Sequence, residues 1–402
     1  MKRNSVFFIA ASALLLASCG GSSSEDVIIL KVWEDANNHE MLRGVADQFI
    51  ANYKNAYPEA ASIEIEFIEQ TEGAAMDDLS LQGPSGNGPD VFAFVHDTLA
   101  SGVNNELISP VEFSDFVKEN FSEESINAFT FDDLLYAYPI TAESQVLMYD
   151  NTKLTAEDVV SWERISESGQ SIVLDSAGSD SSAYYMFSFM NDVDLFGNGT
   201  ESNKLKLDTP QAVANLTAMT KDYRNAVQQG TPDQALTIMG LDEAAGVISS
   251  PYLWDIFKKE LGSKASIAVL PSINGQALRP FSGYKGYSVN TYSKYPMLAN
   301  ALAKHLANGV AQEVRFVQKT LLPTFLDSPT LNDRLDKNEE AVVFQASLEQ
   351  SLTMPNIVAM GSYWAEMNDA VTEIWNLSNN ATNESVEAIL TRATQSIKNK
   401  IA

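Results

Sequence analysis

The stretch from 83 to 97, GPSGNGPDVFAFVHD, constrains the fold of this chain more than any other segment. Its glycines and prolines break any regular element over 83–89, and five apolar residues at 91–95 then precede His96 and Asp97. A short apolar run bounded by turn signals predicts a strand buried on both faces, as in parallel sheets. Ligands of open α/β sheets bind at the carboxyl ends of strands, so Asp97 is our first candidate binding residue. The alternative is that Asp97 caps the helix that follows.

The first 26 residues predict export and membrane attachment. Lys2 and Arg3 precede an apolar run at 6–17 that is too short to span a bilayer, which is typical of a signal peptide over 1–18. The sequence LASC at 16–19 resembles the lipobox of bacterial lipoproteins, whose cysteine becomes the first mature residue and carries a diacylglycerol. Cys19 is the only cysteine, so no disulfide forms within the chain. We expect a lipidated Cys19 and a flexible tether over 19–26, although an ordinary signal peptide with a chance cysteine would share this pattern.

This anchor predicts a protein on the cell membrane that faces outside the cytoplasm, on the cell surface or in a periplasm. The net charge of −27 argues against nucleic acid and anionic lipid as partners. The three histidines, His39, His96 and His305, are scattered, so we predict no metal site. The sequence contains neither a phosphate-binding glycine loop nor a GxSxG motif, and we predict no cofactor.

The length and 45% hydrophobic content favour two domains, each with its own core. Strands predicted at 27–33, 62–69 and 90–95 alternate with helices at 41–53 and 99–106, which indicates a βαβ lobe with a parallel sheet. Further strands are predicted at 145–150, 171–174, 245–249, 266–270 and 283–290. The chain after 296 has a helical pattern throughout, and residues 34–39 form a polar loop.

Four segments in this order resemble the maltose/maltodextrin-binding lipoproteins of ABC sugar importers, within family 1 of the bacterial extracellular solute-binding proteins. They are NGPDVFAFVHD at 87–97 with LISP at 107–110, YPITAE at 138–143, AVLP at 268–271 with RPFSG at 279–283, and MPNI at 354–357 with SYW at 362–364. Together they run through most of the chain.

The resemblance implies a periplasmic-binding-protein-like α/β fold, with two α/β lobes joined by crossover hinge strands. The N-terminal lobe would comprise 27–141 and 285–332, and the C-terminal lobe 146–281 and 338–402. The chain would cross between lobes near 141–145, 282–285 and 328–337. A monomer of this kind captures maltose or a maltodextrin in the interlobe cleft and delivers it to the permease subunits of the importer. It is a receptor and not an enzyme.

The resemblance also implies site residues. Asp97 and Glu143 match carboxylates that accept hydrogen bonds from sugar hydroxyls, and Phe94, Tyr252 and Trp364 match rings that stack on sugar faces. The remaining candidates are the first-loop residues Asp35, Asn37 and Asn38, together with Tyr184 in a segment (175–185) where the family's Glu-Pro-Tyr is not recognisable. Phe94 replaces a tryptophan of the family, Thr98 an arginine and Ala365 an aromatic residue, which leaves the length and identity of the sugar open.

Carboxylates and aromatic rings suit a sugar, which has hydroxyls at its edge and weakly apolar C–H faces. Three alternatives remain. The chain could bind another sugar or glycerol phosphate, although a phosphate favours a basic cleft. It could be a surface glycoside hydrolase that uses Asp97 and Glu143 as its carboxylate pair. It could also be an adhesin, which predicts no deep cleft. Trp364 lies in a helical pattern, where an aromatic residue is often part of the core.

Overall fold

The computed structural model describes residues 27–199, 201–326 and 328–401. The predicted signal peptide, Cys19 and the tether lie outside the described residues and stay predictions. Within the described residues, no helix is both long enough and apolar enough to cross a membrane.

The strands form two main sheets and two short hairpin-like pairs. In chain order they are β1 Ile28–Glu34, β2 Ile63–Glu69, β3 Val91–Val95, β4 Thr130–Phe131, β5 Leu134–Leu135, β6 Tyr138–Ser144, β7 Val146–Asp150, β8 Ile172–Leu174, β9 Asp194–Leu195, β10 Leu205–Lys206, β11 Val227–Gln229, β12 Gly246–Ser249, β13 Ala265–Ala268, β14 Phe281–Val289 and β15 Leu352–Thr353.

The helices cover the faces of both sheets. In chain order they are α1 Ala36–Ala56, α2 Ala75–Gln82, α3 Leu99–Asn104, α4 Ser114–Asn120, α5 Glu123–Ala128, α6 Trp162–Ser168, α7 Ser182–Met186, α8 Phe196–Gly199, α9 Pro210–Lys221, α10 Pro232–Gly240, α11 Trp254–Leu261, α12 Pro296–Leu306, α13 Gly309–Lys319, α14 Pro329–Asp336, α15 Glu339–Gln350, α16 Ala359–Leu377 and α17 Asn383–Ile401.

The first sheet has the order β2, β1, β3, β14, β6, and β1 runs parallel to both β2 and β3. Strand β14 is antiparallel to β3 on one edge and to β6 on the other. The short β15 pairs with Phe281 and Ser282 of β14, next to the end of β3. The predicted βαβ pattern is therefore present, closed by a long antiparallel strand that comes from much later in the chain.

The second sheet has the order β11, β8, β12, β7, β13, with β11, β8 and β12 parallel to one another. Only Gln145 separates β6 of the first sheet from β7 of the second, so the chain passes between the sheets within one residue. The chain returns between β13 and β14, over 269–280. The predicted α/β class with two lobes and crossover strands is confirmed.

Each lobe has its own apolar core. The first-lobe core lies around Phe92, Phe94 and Phe129, all fully buried. The second sheet is covered on one face by a core that includes Trp162 and Tyr363, and on the other by a core around Phe257 and Phe344 with Phe316 and Leu322. Helix α17 packs on α16 and α9, and both α16 and α17 share an apolar core with β7 and β8, so the end of the chain belongs to the second lobe.

Two local predictions were wrong. Helix α1 begins at Ala36 and not near 41, because Asp35 caps it by accepting a hydrogen bond from the N–H of Asn37 at 2.9 Å. The polar segment 34–39 therefore is mostly the first turn of a helix. The chain after 296 is not entirely helical either, since β15 pairs with β14.

Candidate functional site

His96 anchors the end of β3 to the strands that connect the lobes. Its ring is fully buried, Nδ1 accepts the backbone N–H of Tyr284 at 3.1 Å, and Nε2 therefore carries the proton and donates to the carbonyl of Met354 at 2.8 Å. Burial lowers the pKa of His96 to about 4, so the ring is neutral at physiological pH. Both nitrogens are used in packing, which leaves His96 a structural role and fixes the position of the next residue, Asp97.

Asp97 and Trp364 meet across the two lobes. Asp97 follows β3 of the first sheet and Trp364 lies on α16 of the second lobe, yet the indole Nε1–H donates to Oδ2 of Asp97 at 3.1 Å. Both side chains are half-buried, and the indole rests edge-on against Phe281 with ring centroids 5.7 Å apart. Burial raises the pKa of Asp97 to about 6, while the hydrogen bond from Trp364 acts in the opposite direction. The sequence analysis assigned both residues to one binding site, and in the structure their side chains are in contact.

Glu143 on β6 lies beside Lys285 on β14, close to Gln145, where the chain passes from the first sheet to the second. Oε2 of Glu143 is 3.4 Å from Nζ of Lys285, which also lies 3.7 Å from Oε1 of Glu72 in the loop after β2. Each of the three side chains is only 13–15% exposed. Sequence patterns pointed to Glu143 alone, because Lys285 and Glu72 have no motif of their own.

The charges of this group support one another. Burial lowers the pKa of the Lys285 ammonium, but the carboxylates of Glu143 and Glu72 outweigh it and raise the pKa above its usual value. Burial raises the pKa of Glu72, and the charge of Lys285 offsets part of that rise. Lys285 is therefore a permanent cation between two acids.

The second lobe brings tyrosines to the same place. Tyr184 on α7 lies with Oη 3.2 Å from Oγ of Ser250, and its ring is nearly parallel to that of Phe281 at 6.2 Å. Tyr252 follows β12 and is 43% exposed. Burial raises the pKa of Tyr252 to about 12, with Asp233 and Glu143 acting in the same direction, so the carboxylate of Glu143 is within electrostatic reach of the second lobe. Tyr184 and Tyr252 thus face the acids of the first lobe.

The prediction that the ring of Phe94 stacks on a ligand was wrong. Its ring is fully buried in the first-lobe core, 5.5 Å from the rings of both Phe92 and Phe129, and has no exposed face for a ligand. An apolar strand buried on both faces does not reveal which of its rings faces a ligand, which is why the sequence pattern misled here.

The predicted first-loop residues have local roles in the structure. Asp35 caps α1, and Asn37 is exposed in the first turn. Asn38 is buried and donates from Nδ2 to Oε1 of Glu34 at 2.9 Å. Binding by these three residues stays a prediction, and Asn38 already has a protein partner.

A buried ion pair that the sequence did not predict lies behind these residues. Glu34 accepts hydrogen bonds from Asn38, from the hydroxyl of Tyr287 and from Nη2 of Arg315, the last at 3.1 Å. Burial acts to raise the pKa of Glu34, but Arg315 and the hydrogen bonds lower it overall. Arg315 lies 281 residues away along the chain, so no local pattern could pair the two.

Between the lobes, the first lobe contributes the carboxylates of Asp97 and Glu143, and the second lobe contributes the rings of Tyr184, Tyr252 and Trp364. Among the described residues, no group of His, Cys, Asp or Glu is arranged to hold a metal ion. The cation in the gap, Lys285, already serves two carboxylates, so a phosphate would meet more negative than positive charge. A neutral polyhydroxylated ligand meets none of this repulsion.

A family model described as bacterial extracellular solute-binding protein matches residues 48–343. A galactooligosaccharide-binding protein of Bacillus subtilis is 24% identical over 363 residues, which cover 86% of this chain and 84% of that protein. The maltodextrin-binding protein MdxE of the same organism is also 24% identical, over 79% of this chain and 80% of the relative.

Solved structures have the same fold at low identity. The ligand-free maltodextrin-binding protein MalE1 of L. casei has a TM-score of 0.76 at 18% identity, over 92% of this chain and 98% of that one. A Thermus thermophilus maltotriose-binding protein with bound maltotriose has a TM-score of 0.74 at 20% identity, over 93% of this chain and all (100%) of that one.

Proposed function

This chain belongs to the family of bacterial extracellular solute-binding proteins, and we propose that it captures a maltodextrin in its interlobe gap and delivers it to the permease of an ABC importer. The contact between Asp97 and Trp364 carries the proposal. A carboxylate from one lobe and an aromatic plate from the other meet in one place, and that combination binds the hydroxyl edge and the C–H face of a sugar.

Closure of the lobes follows from this placement. Glu143 lies on β6 of the first sheet and Asp97 directly follows β3, whereas Tyr184, Tyr252 and Trp364 belong to the second lobe. A sugar that contacts both sets is bound more tightly when the lobes approach each other, so the ligand shifts the population toward the closed state. The permease would then distinguish loaded from empty receptor by the position of the lobes.

Galactooligosaccharides are the second candidate ligand, favoured by the B. subtilis relative described above. Both ligand classes are uncharged chains of hexoses, and carboxylates with aromatic plates suit either. The proposal includes a lipid-anchored protein on the outer side of the membrane, held through Cys19, and two lobes with the boundaries given above. Among the relatives, a Streptococcus pneumoniae protein described as a solute-binding lipoprotein supports the anchor.

Calorimetric titration of the chain without its first 18 residues tests the ligand. We expect micromolar binding, about −8 kcal/mol, of maltotriose or maltotetraose, and no heat from glycerol phosphate. Tighter binding of a galactooligosaccharide would assign the second candidate. Binding of neither class would refute the proposal.

A matched pair of tyrosine variants tests the location of the site. Tyr252→Ala removes a ring that is 43% exposed beside Glu143, and we expect the affinity to fall at least fivefold. Tyr292→Ala removes a ring that is 42% exposed on the loop after β14, and the affinity is expected to stay unchanged. Equal effects of the two variants would place the ligand elsewhere.

The hydrolase alternative is tested with the same protein. After overnight incubation with maltopentaose, chromatography is expected to show the intact substrate alone, since we assign Asp97 to accepting hydrogen bonds from Trp364 and from the sugar rather than to acid–base chemistry. Shortened products above background that disappear in Asp97→Asn would establish a glycosidase.

A further inference from the structure

Among the described residues, Lys285 is the one cation that forms an ion pair with both Glu72 and Glu143. Its ammonium lies 3.4 Å from Glu143 and 3.7 Å from Glu72, and 13% of the side chain is exposed. The lysine is on β14, the strand that pairs with β3 and β6 in the first sheet and follows the chain's return from the second. It is therefore held by the backbone of the hinge and not by a mobile loop.

The surrounding charges leave these two acids dependent on Lys285. Glu34 is the third nearby acid, but Arg315 is bonded to it. The groups that face the cluster from the second lobe are neutral at physiological pH: Tyr184, Tyr185 and Tyr252. Without the ammonium, the cation still within electrostatic reach of Glu72 would be Arg315, which is already paired with Glu34, and one of the two buried carboxylates would take up a proton.

Protonation would damage the site as an acceptor of sugar hydroxyls. Oε2 of Glu143 is buried 3.4 Å from the Lys285 ammonium, so the ammonium orients a carboxylate whose side chain remains 13% exposed for a ligand. An ionised oxygen forms a charge-assisted bond that is about twice as strong as a neutral one. A protonated or rotated carboxyl forfeits that bond.

We propose that Lys285 is a positioning residue for sugar binding, whose ammonium offsets the mutual repulsion of Glu72 and Glu143 and holds both carboxylates in place between the lobes. The proposal rests on the proposed function for its ligand, whereas the ion cluster itself is testable without any ligand.

The ligand-free test compares the melting temperatures of the wild type and Lys285→Met across pH. In this variant one carboxyl has a raised pKa in the folded state, so stability is lost as the pH rises through that pKa. The difference in melting temperature from the wild type is therefore expected to be small at pH 5 and to widen by several degrees at pH 7.5. A difference that is the same at every pH would mean that Lys285 only packs, and would overturn the proposal.

The binding test uses maltotriose at pH 7.5. Lys285→Met is expected to weaken binding at least tenfold, Lys285→Arg to stay within about fivefold of the wild type, and the exposed control Lys294→Met to leave the affinity unchanged. Wild-type affinity in Lys285→Met would overturn the proposal.

A double variant separates charge repulsion from loss of the side chain. The double variant Glu72→Gln with Lys285→Met removes the repulsion between the two carboxylates together with the cation. Its difference in melting temperature from the wild type should therefore not widen between pH 5 and pH 7.5. Its affinity for maltotriose should be at least threefold higher than that of Lys285→Met. If Lys285→Met does not fold, the double variant is measured in its place and is compared with Glu72→Gln instead of the wild type. A double variant that still shows the widening refutes the electrostatic role. If the wild type binds no saccharide at all, the proposed function fails, while the melting experiment still decides whether Lys285 controls the two acids.

Discussion

The pH dependence of sugar binding follows from the environment of Asp97. Burial raises its pKa to about 6, so its ionised fraction changes steeply over a range that is easy to measure. If the ionised oxygen accepts a sugar hydroxyl, affinity should fall as the carboxyl is protonated. The perturbation is therefore acidification from pH 7 to pH 5, in the wild type and in Asp97→Asn.

The size of the effect comes from the protonation equilibrium. With a pKa of about 6, about nine-tenths of Asp97 is ionised at pH 7 and about one-tenth at pH 5, so the dissociation constant should rise about tenfold. Asp97→Asn removes the charged acceptor, whose hydrogen bond contributes about 2–3 kcal/mol, so the affinity at pH 7 should fall about thirtyfold or more. The variant should then bind equally at both pH values.

Isothermal titration with maltotriose at four pH values between 5 and 7 measures both quantities. His96 adds nothing over this range, because burial holds its pKa at about 4. Glu72 also has a raised pKa, so Glu72→Gln is the matched control and should keep the tenfold change. A flat profile in the wild type, or a tenfold change that persists in Asp97→Asn, would refute the assignment of Asp97 as an acceptor.

Three further predictions concern single contacts. Trp364→Phe keeps a ring but loses the Nε1–H bond to Asp97, so titration should give a smaller loss of affinity than the tenfold or greater loss expected for Trp364→Ala; equal losses would contradict the hydrogen bond. Arg315→Met leaves Glu34 buried without a cation and should lower the unfolding free energy by about 3–5 kcal/mol in urea, whereas adding Glu34→Gln should recover part of the loss; no recovery would contradict the pairing. Gly286→Ala places a Cβ 2.7 Å from the ring of Phe129 and should cost about 1–3 kcal/mol, while Gly44→Ala, with no atom within 4 Å, should stabilise slightly; equal effects would contradict the close approach.

Much of the fold could be predicted because its signals are local. The apolar run at 91–95 identifies a buried strand, and the position of Asp97 directly after it indicates the edge of the sheet. The alternation of strands and helices indicates two α/β lobes. These inferences need only backbone periodicity and the burial of apolar side chains, which neighbouring residues determine.

The ligand-binding roles of the candidate site residues stay predictions. The sequence and its resemblance proposed Asp97, Glu143 and Trp364, and in the structure Asp97 contacts Trp364 across the lobes while Glu143 pairs with Lys285. The sequence did not show whether the ring of Phe94 faces a ligand or the core. Phe92 and Phe94 belong to one apolar run, and only the contact with Phe129, which lies 35 residues later in the chain, shows that the ring of Phe94 is enclosed in the core.

Tertiary structure alone decided the charge pairing. Lys285 approaches Glu72 and Glu143 because β14 lies between β3 and β6, and Arg315 reaches Glu34 because α13 packs near the end of β1. The strand β15 is two residues long and exists only because β14 offers an edge. Such contacts join residues far apart in the chain, so their free energy depends on how whole elements pack, and no short stretch of sequence records it.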